Sequence, residues 1–430
     1  MRIFVDAMGG DFAPQAPVEG SIEALRRYEN IEIVLAGDLK QVEPLLKDCD
    51  DVRGRITLVD APEVITNHES PVMGVRSKKN SATVIGMLQL KEKLADGFVS
   101  AGSTGAVLAG GMFRLGRIHG VERPALAPLL PNGKGHFLLI DCGANVDCKP
   151  EYLQQFGVMG AAYMKGVMGI EEPRVGLINI GAESEKGNAL VKETFPLMEK
   201  APYNFIGNVE ARDITADQAD VLVCDGFTGN VVMKFMEGVA GTLMGIIKKE
   251  MMADLRGKIA GLIAKPAFRR VKKMMDYTEV GGAPLLGVQG NVVKAHGSSN
   301  AHAFACAIGQ VIRMADGHVV EVIEQGVAAT QEECISPAKP GISIDSFRNY
   351  KEETTMIFEA VKSMIAKQLK VDEATITADS RLIEDLKADS ANVMVMIMDL
   401  EDKYGIMVED DQIMKLKTVG DVVSYIEAHQ

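Results

Sequence analysis

At 430 residues the chain exceeds the usual size of one domain, and 47% apolar against 24% charged residues excludes general disorder. A net charge of -13 speaks against a nucleic-acid binder, although a local basic patch is compatible with it. Six cysteines without a C-x-x-C pair fit neither a disulfide framework nor a zinc site, so they are expected to be reduced core residues of a cytoplasmic protein.

The first strand is expected to begin at Ile3, so no signal peptide is expected, and no apolar run is expected to span a bilayer. Ile3-Phe4-Val5 ends at Asp6-Ala7-Met8-Gly9-Gly10-Asp11, and a helical pattern runs from Val18 to Leu25. Asp6, Gly9, Gly10 and Asp11 then stand at the carboxyl end of a strand, where open α/β sheets bind ligands; acids that only cap the helix are the alternative. Ile31 to Ala36 and Ile56 to Val59 read as further strands. Arg76-Ser77-Lys78-Lys79-Asn80-Ser81 gathers three cations ahead of a helix over Ala82 to Leu94, as a solvated face or as a hold on an anionic substrate.

Four more strands end in small polar loops. Gly97 to Ser100 leads to Ala101-Gly102-Ser103-Thr104-Gly105-Ala106, Leu138 to Ile140 to Asp141-Cys142-Gly143-Ala144-Asn145, and Val175 to Ile180 to Gly181 through Asn188. Val221 to Val223 leads to a turn, Asp225-Gly226-Phe227-Thr228-Gly229-Asn230, before Val231, Val232, Phe235, Met236 and Val239 recur at helical spacing. Glycine lets the backbone approach a ligand closely and a helix start suits a phosphate, though a βα turn without a ligand uses the same residues. Strands alternating with helices predict a mostly parallel sheet covered on both faces, and five polar junctions on one sheet edge predict a pocket. No loop matches G-x-x-x-x-G-K-[ST] or a sound G-x-G-x-x-G, so no nucleotide is expected.

From Thr242 to Asp276 the chain reads as helical and rich in methionine. Leu255, Ile259, Leu262 and Ile263 share one face, and Asp254 to Asp276 holds seven cations against two anions. A subunit interface ringed by solvated lysines, a membrane surface and an acidic protein all suit this segment. Pro266 is expected to break the helix. Gly281 to Gly287 and Lys294 to Asn300 follow, then a helix to about Val322. The histidines, His296 and His302 among them, form no metal-ligand cluster, so no metal is expected; His296 either donates to an anion or is structural.

Pro337, Pro340 and Gly341 mark 328–350 as a linker. Beyond it, residues 351–430 hold 9 cations and 17 anions, against 37 and 42 before. Met356 to Leu369, Asn392 to Tyr404 and Val419 to Ala428 predict a small helical bundle, with Leu386-Lys387-Ala388-Asp389-Ser390-Ala391 between its first two helices. In helix order, acidity and the Glu384-Asp385-Leu386 run ahead of Asp389-Ser390, residues 351–430 resemble acyl carrier protein. The resemblance implies that Ser390 receives 4'-phosphopantetheine, whose thiol carries an acyl chain as a thioester. Ala391 and Val395 stand where that family has a leucine and an acid. A helical interaction module with Ser390 as a plain N-cap is the alternative.

Residues 1–327 resemble the bacterial phosphate acyltransferases of phospholipid synthesis, the PlsX family. The motifs are Asp6 to Asp11, Ser100 to Gly105, Asp141 to Asn145, Lys186-Gly187-Asn188, Asp225 to Asn230, Gly281 to Gly287 and His296-Gly297-Ser298-Ser299; Ser103, Glu185 and Val280 depart from the family's usual asparagine, glycine and tyrosine. The resemblance implies a mostly parallel three-layer α/β domain like those of phosphotransacetylases and isocitrate-dehydrogenase-like proteins. It implies a cytoplasmic homodimer attached peripherally to the membrane, making acyl phosphate and free carrier from acyl-[acyl carrier protein] and inorganic phosphate. A membrane glycerol-3-phosphate acyltransferase would consume the product.

The chain would thus join an enzyme to its own carrier, and tethering raises the carrier's effective concentration. Lys186 is the candidate for neutralising phosphate or the departing thiolate, Asn188 for positioning, and Asn230 joins them as catalytic. Asp6, Gly9, Gly10, Ser103, Thr104, Gly105, Asn145, Thr228, Gly229, His296 and Ser298 are the candidate substrate and phosphate contacts. Leu255, Ile259, Leu262, Lys265, Arg269, Arg270 and Lys273 are the candidate membrane or carrier docking face. The competing readings are a phosphotransacylase acting on acyl-CoA with the tail as regulator, and a non-catalytic carrier scaffold at a membrane.

Overall fold

Short runs of consecutive apolar residues can be strands only where both faces of a sheet are covered. The computed structural model shows this arrangement; it describes residues 1–274, 279–334, 352–369, 371–386, 388 and a discontinuous set from 393 to 429. Two compact units divide the chain, Met1–Ser336 and Pro337–Gln430.

The first unit holds twelve described strands: β1 Arg2–Asp6, β2 Glu32–Gly37, β3 Ile56–Asp60, β4 Gly97–Ser100, β5 Ala125–Leu126, β6 Leu129–Pro131, β7 His136–Ile140, β8 Arg174–Asn179, β9 Asn204–Glu210, β10 Val221–Val223, β11 Gly282–Leu286 and β12 Asn291–Ala295. They form two sheets rather than the single edge expected from the loops. One has the order β3-β2-β1-β4-β12-β11-β5, the other β6-β7-β10-β8-β9. Only β11 and β5 in the first and β6 in the second run against their neighbours. One apolar core joins the sheets: Ile3, Val5 and Val99 share it with Leu138, Ile140 and Val221, and the helices Pro150–Met168 and Ala301–Asp316 supply Phe156, Tyr163, Phe304 and Ile308. The unit is therefore a mixed α/β domain with largely parallel sheets.

Three local expectations are corrected. The Asp225 to Asn230 stretch is not a turn before a helix. Asp225 is itself the N-cap of a helix over Gly226–Met251, its carboxylate accepting from Thr228 N at 2.8 Å and from Thr228 Oγ1 at 2.8 Å. That helix is 26 residues long and, by length and composition, apolar enough to cross a membrane, against the expectation drawn from unbroken runs: Lys234 and Glu237 interrupt the run but pair with each other at 3.0 Å. Pro266 does not end the helix Leu255–Met274. Proline removes one N–H bond, and on an exposed helix the orphaned carbonyl can turn to water, so the helix can continue through it.

The expected helix to Val322 is two, Ala301–Asp316 and Val319–Cys334, the second continuing into the segment expected as linker. The five cysteines whose side chains are described, Cys49, Cys142, Cys148, Cys224 and Cys306, carry free thiols.

In the second unit, helices Glu352–Leu369 and Val419–His429 share an apolar core with Ile376, Leu382, Leu386 and Leu400. The described positions between 393 and 404 are helical.

Candidate active site

Strand pairing sets the floor of the site. β1, β4 and β12 are adjacent, with Val5 opposite Val99 and Ser100 opposite Lys294, so Asp6, Ser100 and Lys294 fall in one row across three strands at their carboxyl ends. Ser100 Oγ donates to Asp6 Oδ2 at 2.7 Å, and Met8 N donates to Asp6 Oδ1 at 3.0 Å. A third, longer bond comes from Thr83 Oγ1 at 3.4 Å. Burial pushes the Asp6 carboxyl above the usual carboxylate range, while these bonds pull the other way. The loops after β1 and β4 touch so closely that a Cβ on Gly9 would lie 2.5 Å from Gly102 N. Asp11 N donates to Gly297 O at 2.8 Å, tying the first loop to the one after β12. Asp11 is thus not a helix cap; the Gln15–Arg27 helix has no side-chain cap.

Above this floor lies a cavity of about 680 Å³. Its polar lining includes Ser103 and Thr104, at the start of the helix Thr104–Gly110, with Lys294 and His296; its apolar wall is Leu126, Pro128, Leu129 and Leu130. The Gly226–Met251 helix closes the far side with Asn230, Met233, Lys234 and Glu237. His296 Nδ1 lies 2.7 Å from Ser298 Oγ and accepts from Ser298 N at 3.2 Å, which assigns the ring proton to Nε2.

The second sheet fixes that helix through Asp141, at the end of β7. Asp141 Oδ1 accepts from Leu126 N (2.9 Å) and Ala144 N (3.2 Å), and Oδ2 from Asn145 N (2.6 Å) and Asn145 Nδ2 (3.0 Å). Asn145 O in turn accepts from Gly226 N at 2.7 Å. A side chain at Gly229 would collide with the Asp141 carbonyl, so only glycine lets the helix sit this close. Burial pushes the Asp141 carboxyl up to about 6 against the four bonds it accepts. Asp141→Asn puts an NH₂ against two donors in either orientation, and is expected to cost about 2–4 kcal/mol of stability. Urea unfolding checks this, and an unchanged midpoint would remove the network as the anchor of the helix.

Asp6, Gly9, Gly10, Ser103, Thr104, Asn230 and His296 therefore meet in one cavity. Gly105, Asn145, Thr228, Gly229 and Ser298 are not among the lining residues: Thr228 spends its N–H and hydroxyl on Asp225, Asn145 braces Asp141, and Gly105 packs against Pro71. Lys186 and Asn188 are exposed on the loop after β8, outside the lining, where Asn188 Oδ1 caps the helix Ala189–Met198. Lys78, in the cationic run, is held by Glu69 at 2.8 Å and the Val64 carbonyl at 2.7 Å, so that amine is already engaged within the protein.

Lys294, Thr83 and Lys234 were not among the expected site residues. For Lys294 the signal was a single lysine between Val292-Val293 and Ala295. On the docking face, Leu255 is 74% and Leu262 72% exposed, with Ile259, Lys265, Arg269 and Arg270 also exposed; the Lys273 side chain lies outside the described residues. Among the described residues no group of His, Cys, Asp and Glu is placed to hold a metal ion.

Ser390 lies outside the described residues, but the segment leading to it is anchored. Leu386 and Ala388 are buried, with Leu386 N donating to Arg381 O at 3.0 Å and Ala388 N to Leu382 O at 2.9 Å.

Comparison with known proteins agrees with both halves of this picture. The family described as fatty acid synthesis protein matches residues 1–322, and the one described as phosphopantetheine attachment site matches 359–426. The phosphate acyltransferase of Alkaliphilus oremlandii is 49% identical over 329 residues, 76% of this chain and 98% of the relative; that of Clostridium novyi is 48% identical over 327 residues with the same coverage. A phosphotransacetylase from Streptococcus pyogenes shares the fold at 17% identity, with a TM-score of 0.50 over 75% of this chain and 94% of its own. The chain accordingly belongs to the phosphate acyltransferase family, an acyl-transferring enzyme joined to a phosphopantetheine-attachment domain.

Proposed function

We propose that the enzyme transfers an acyl group from acyl-[acyl carrier protein] to inorganic phosphate, giving acyl phosphate and free carrier for phospholipid synthesis, and that the fused domain is its own carrier. The observation that carries this reading is a single cavity with a glycine-rich polar end and an apolar wall, Leu126 to Leu130, suited to an acyl chain. A phosphate oxygen of HPO₄²⁻ attacks the thioester carbonyl carbon, the C–S bond breaks, and the proton given up by phosphate ends on the thiol. No protein nucleophile is needed. The site must instead capture phosphate, orient it and stabilise the carbonyl oxyanion. The loop at Ser103 and Thr104 and the Asn230 carboxamide supply donors, and Lys186 offsets the charge of the leaving thiolate.

Rates on carrier and coenzyme A thioesters, with and without phosphate, test the reading. Phosphate-dependent thiol release from the acylated carrier at a rate well above that from acyl-CoA is expected. Preference for acyl-CoA would make the tail a regulator instead, and no acyl phosphate from either would sink the proposal.

The Gly226–Met251 helix buries only Gly226 and Gly229 and exposes Phe227, Val231, Phe235, Val239, Leu243 and Ile246 in a row. Apolar surface of this extent implies a partner, which supports a homodimer along this row. The following helix combines exposed Leu255, Ile259 and Leu262 with Lys265, Arg269 and Arg270, the composition of a peripheral membrane contact on a cytoplasmic enzyme. A membrane glycerol-3-phosphate acyltransferase that consumes acyl phosphate would then lie close by. Leu262→Glu is expected to reduce co-sedimentation with anionic liposomes about tenfold or more, from lost apolar burial and added charge repulsion. Unchanged binding would remove the membrane from this face.

A further inference from the structure

Lys294 lies on β12, an interior strand, between Val293 and Ala295, both fully buried. It is itself only 8% exposed, yet it lines the cavity. A buried ammonium is expected to have an ion-pair partner, because the cost of desolvating it is otherwise uncompensated. Among the described residues Lys294 has none: no carboxylate oxygen of theirs lies within 4.0 Å of Nζ, and its one hydrogen bond to them goes to the Ala295 carbonyl. An ammonium has three N–H donors, so two remain for whatever enters the cavity.

The nearest acids are placed to influence the amine without neutralising it. Asp6 stands two strands away in the same row, and Ser100, which lies between them, donates to Asp6. Asp6 and Asp11 act on Lys294 only through their fields, while burial holds its amine down at about 8. A dianion in the cavity would complete the pairing and draw the amine fully into its charged form.

We propose that Lys294 is the residue that binds the attacking inorganic phosphate, with Asp6 on β1, held by Ser100 on β4, biasing it through its field. This rests on the reading of the cavity as a phosphate acyl-transfer site. Through the phosphate, Lys294 would hold the nucleophile against the apolar wall where the acyl chain lies. Asp6, locked by Ser100 and the Met8 amide, would keep the amine directed at the cavity rather than binding phosphate itself.

The test uses the full chain with a free acylated carrier as substrate. Lys294→Met keeps the shape and removes the charge, and the KM for inorganic phosphate is expected to rise about 10²-fold, as for loss of one charged donor, while the KM for the acylated carrier changes less than threefold. Wild-type protein should gain thermal stability on adding inorganic phosphate, and the variant should not. A purely structural lysine would instead lower Tm and kcat with both KM values unmoved.

Should the methionine variant fail to fold, Lys294→Ala assayed with added ethylammonium gives the second reading. Saturable rescue of phosphate-dependent turnover supports the proposal, and no rescue in a folded variant overturns it. A wild-type enzyme that shows no phosphate-dependent acyl transfer sinks the functional reading. An active enzyme whose Lys294→Met variant keeps its phosphate KM within twofold sinks this inference alone.

Discussion

Ser390→Ala abolishes acyl transfer from the chain's own carrier domain and leaves transfer from a free acylated carrier at the wild-type rate; this is the expected result. Alanine lacks the oxygen that joins the phosphopantetheine phosphate, so the loss is complete rather than graded. The match to a phosphopantetheine attachment domain spans 359–426 and so includes this serine. Intact mass after treatment with a phosphopantetheinyl transferase and coenzyme A should show one adduct on the wild type and none on the variant. An adduct on Ser390→Ala would move the attachment point. Turnover of that variant without added carrier would mean that the tail is not the donor. Tethering should also make wild-type turnover per molecule independent of enzyme concentration, since a short tether supplies an effective concentration on the order of millimolar. A steep rise on concentrating the protein would instead show copies serving one another.

Much of the architecture could be read from the chain because its physical causes are local. Ile3 to Val5, Leu138 to Ile140 and Val221 to Val223 are buried on both faces of a sheet, and this burial is written as unbroken apolar runs. Other features depend on partners distant in sequence. Asp6 and Ser100 are 94 residues apart, and Lys294 joins their row only because β12 inserts beside β4, a pairing that no local pattern encodes. The division into two sheets has the same origin: the polar loops look alike, but strand order assigns two to one sheet and three to the other.

Asp225 to Asn230 is ambiguous in sequence for a different reason. The glycines that suggest a turn are there because Gly226 and Gly229 lie against Asn145 and Asp141, and they tolerate helical backbone. Close packing and chain reversal thus leave the same glycine pattern. Pro266 predicts a break by propensity alone, which the helix Leu255–Met274 overrides.

Lys186→Ala is expected to lower the rate of acyl phosphate formation about 10²- to 10³-fold, the loss that follows removal of one donor from developing charge in a transition state. The structure makes this a clean experiment. The backbone of its loop is fixed independently of the side chain: Asn179 Nδ2 donates to Lys186 O at 3.1 Å, Asn208 Nδ2 to Glu183 O at 2.9 Å, and Gly187 adopts φ +99°. The side chain itself is exposed. Truncating an exposed lysine typically moves stability by no more than about 0.5 kcal/mol, so Tm should be unchanged and any loss of rate is chemical.

Because Lys186 stands outside the cavity lining, its effect should appear in kcat with the thioester rather than in the KM for phosphate. That pattern separates it from Lys294, for which the reverse is expected. Mixing Lys186→Ala with Ser390→Ala adds a second result: one chain keeps the carrier serine, the other the catalytic lysine. Restored turnover in the mixture would require an acyl group to pass between copies, and silence would confine each carrier to its own enzyme. Near-normal turnover by Lys186→Ala alone would remove this lysine from the reaction and leave the charge of the departing thiolate to the groups that line the cavity.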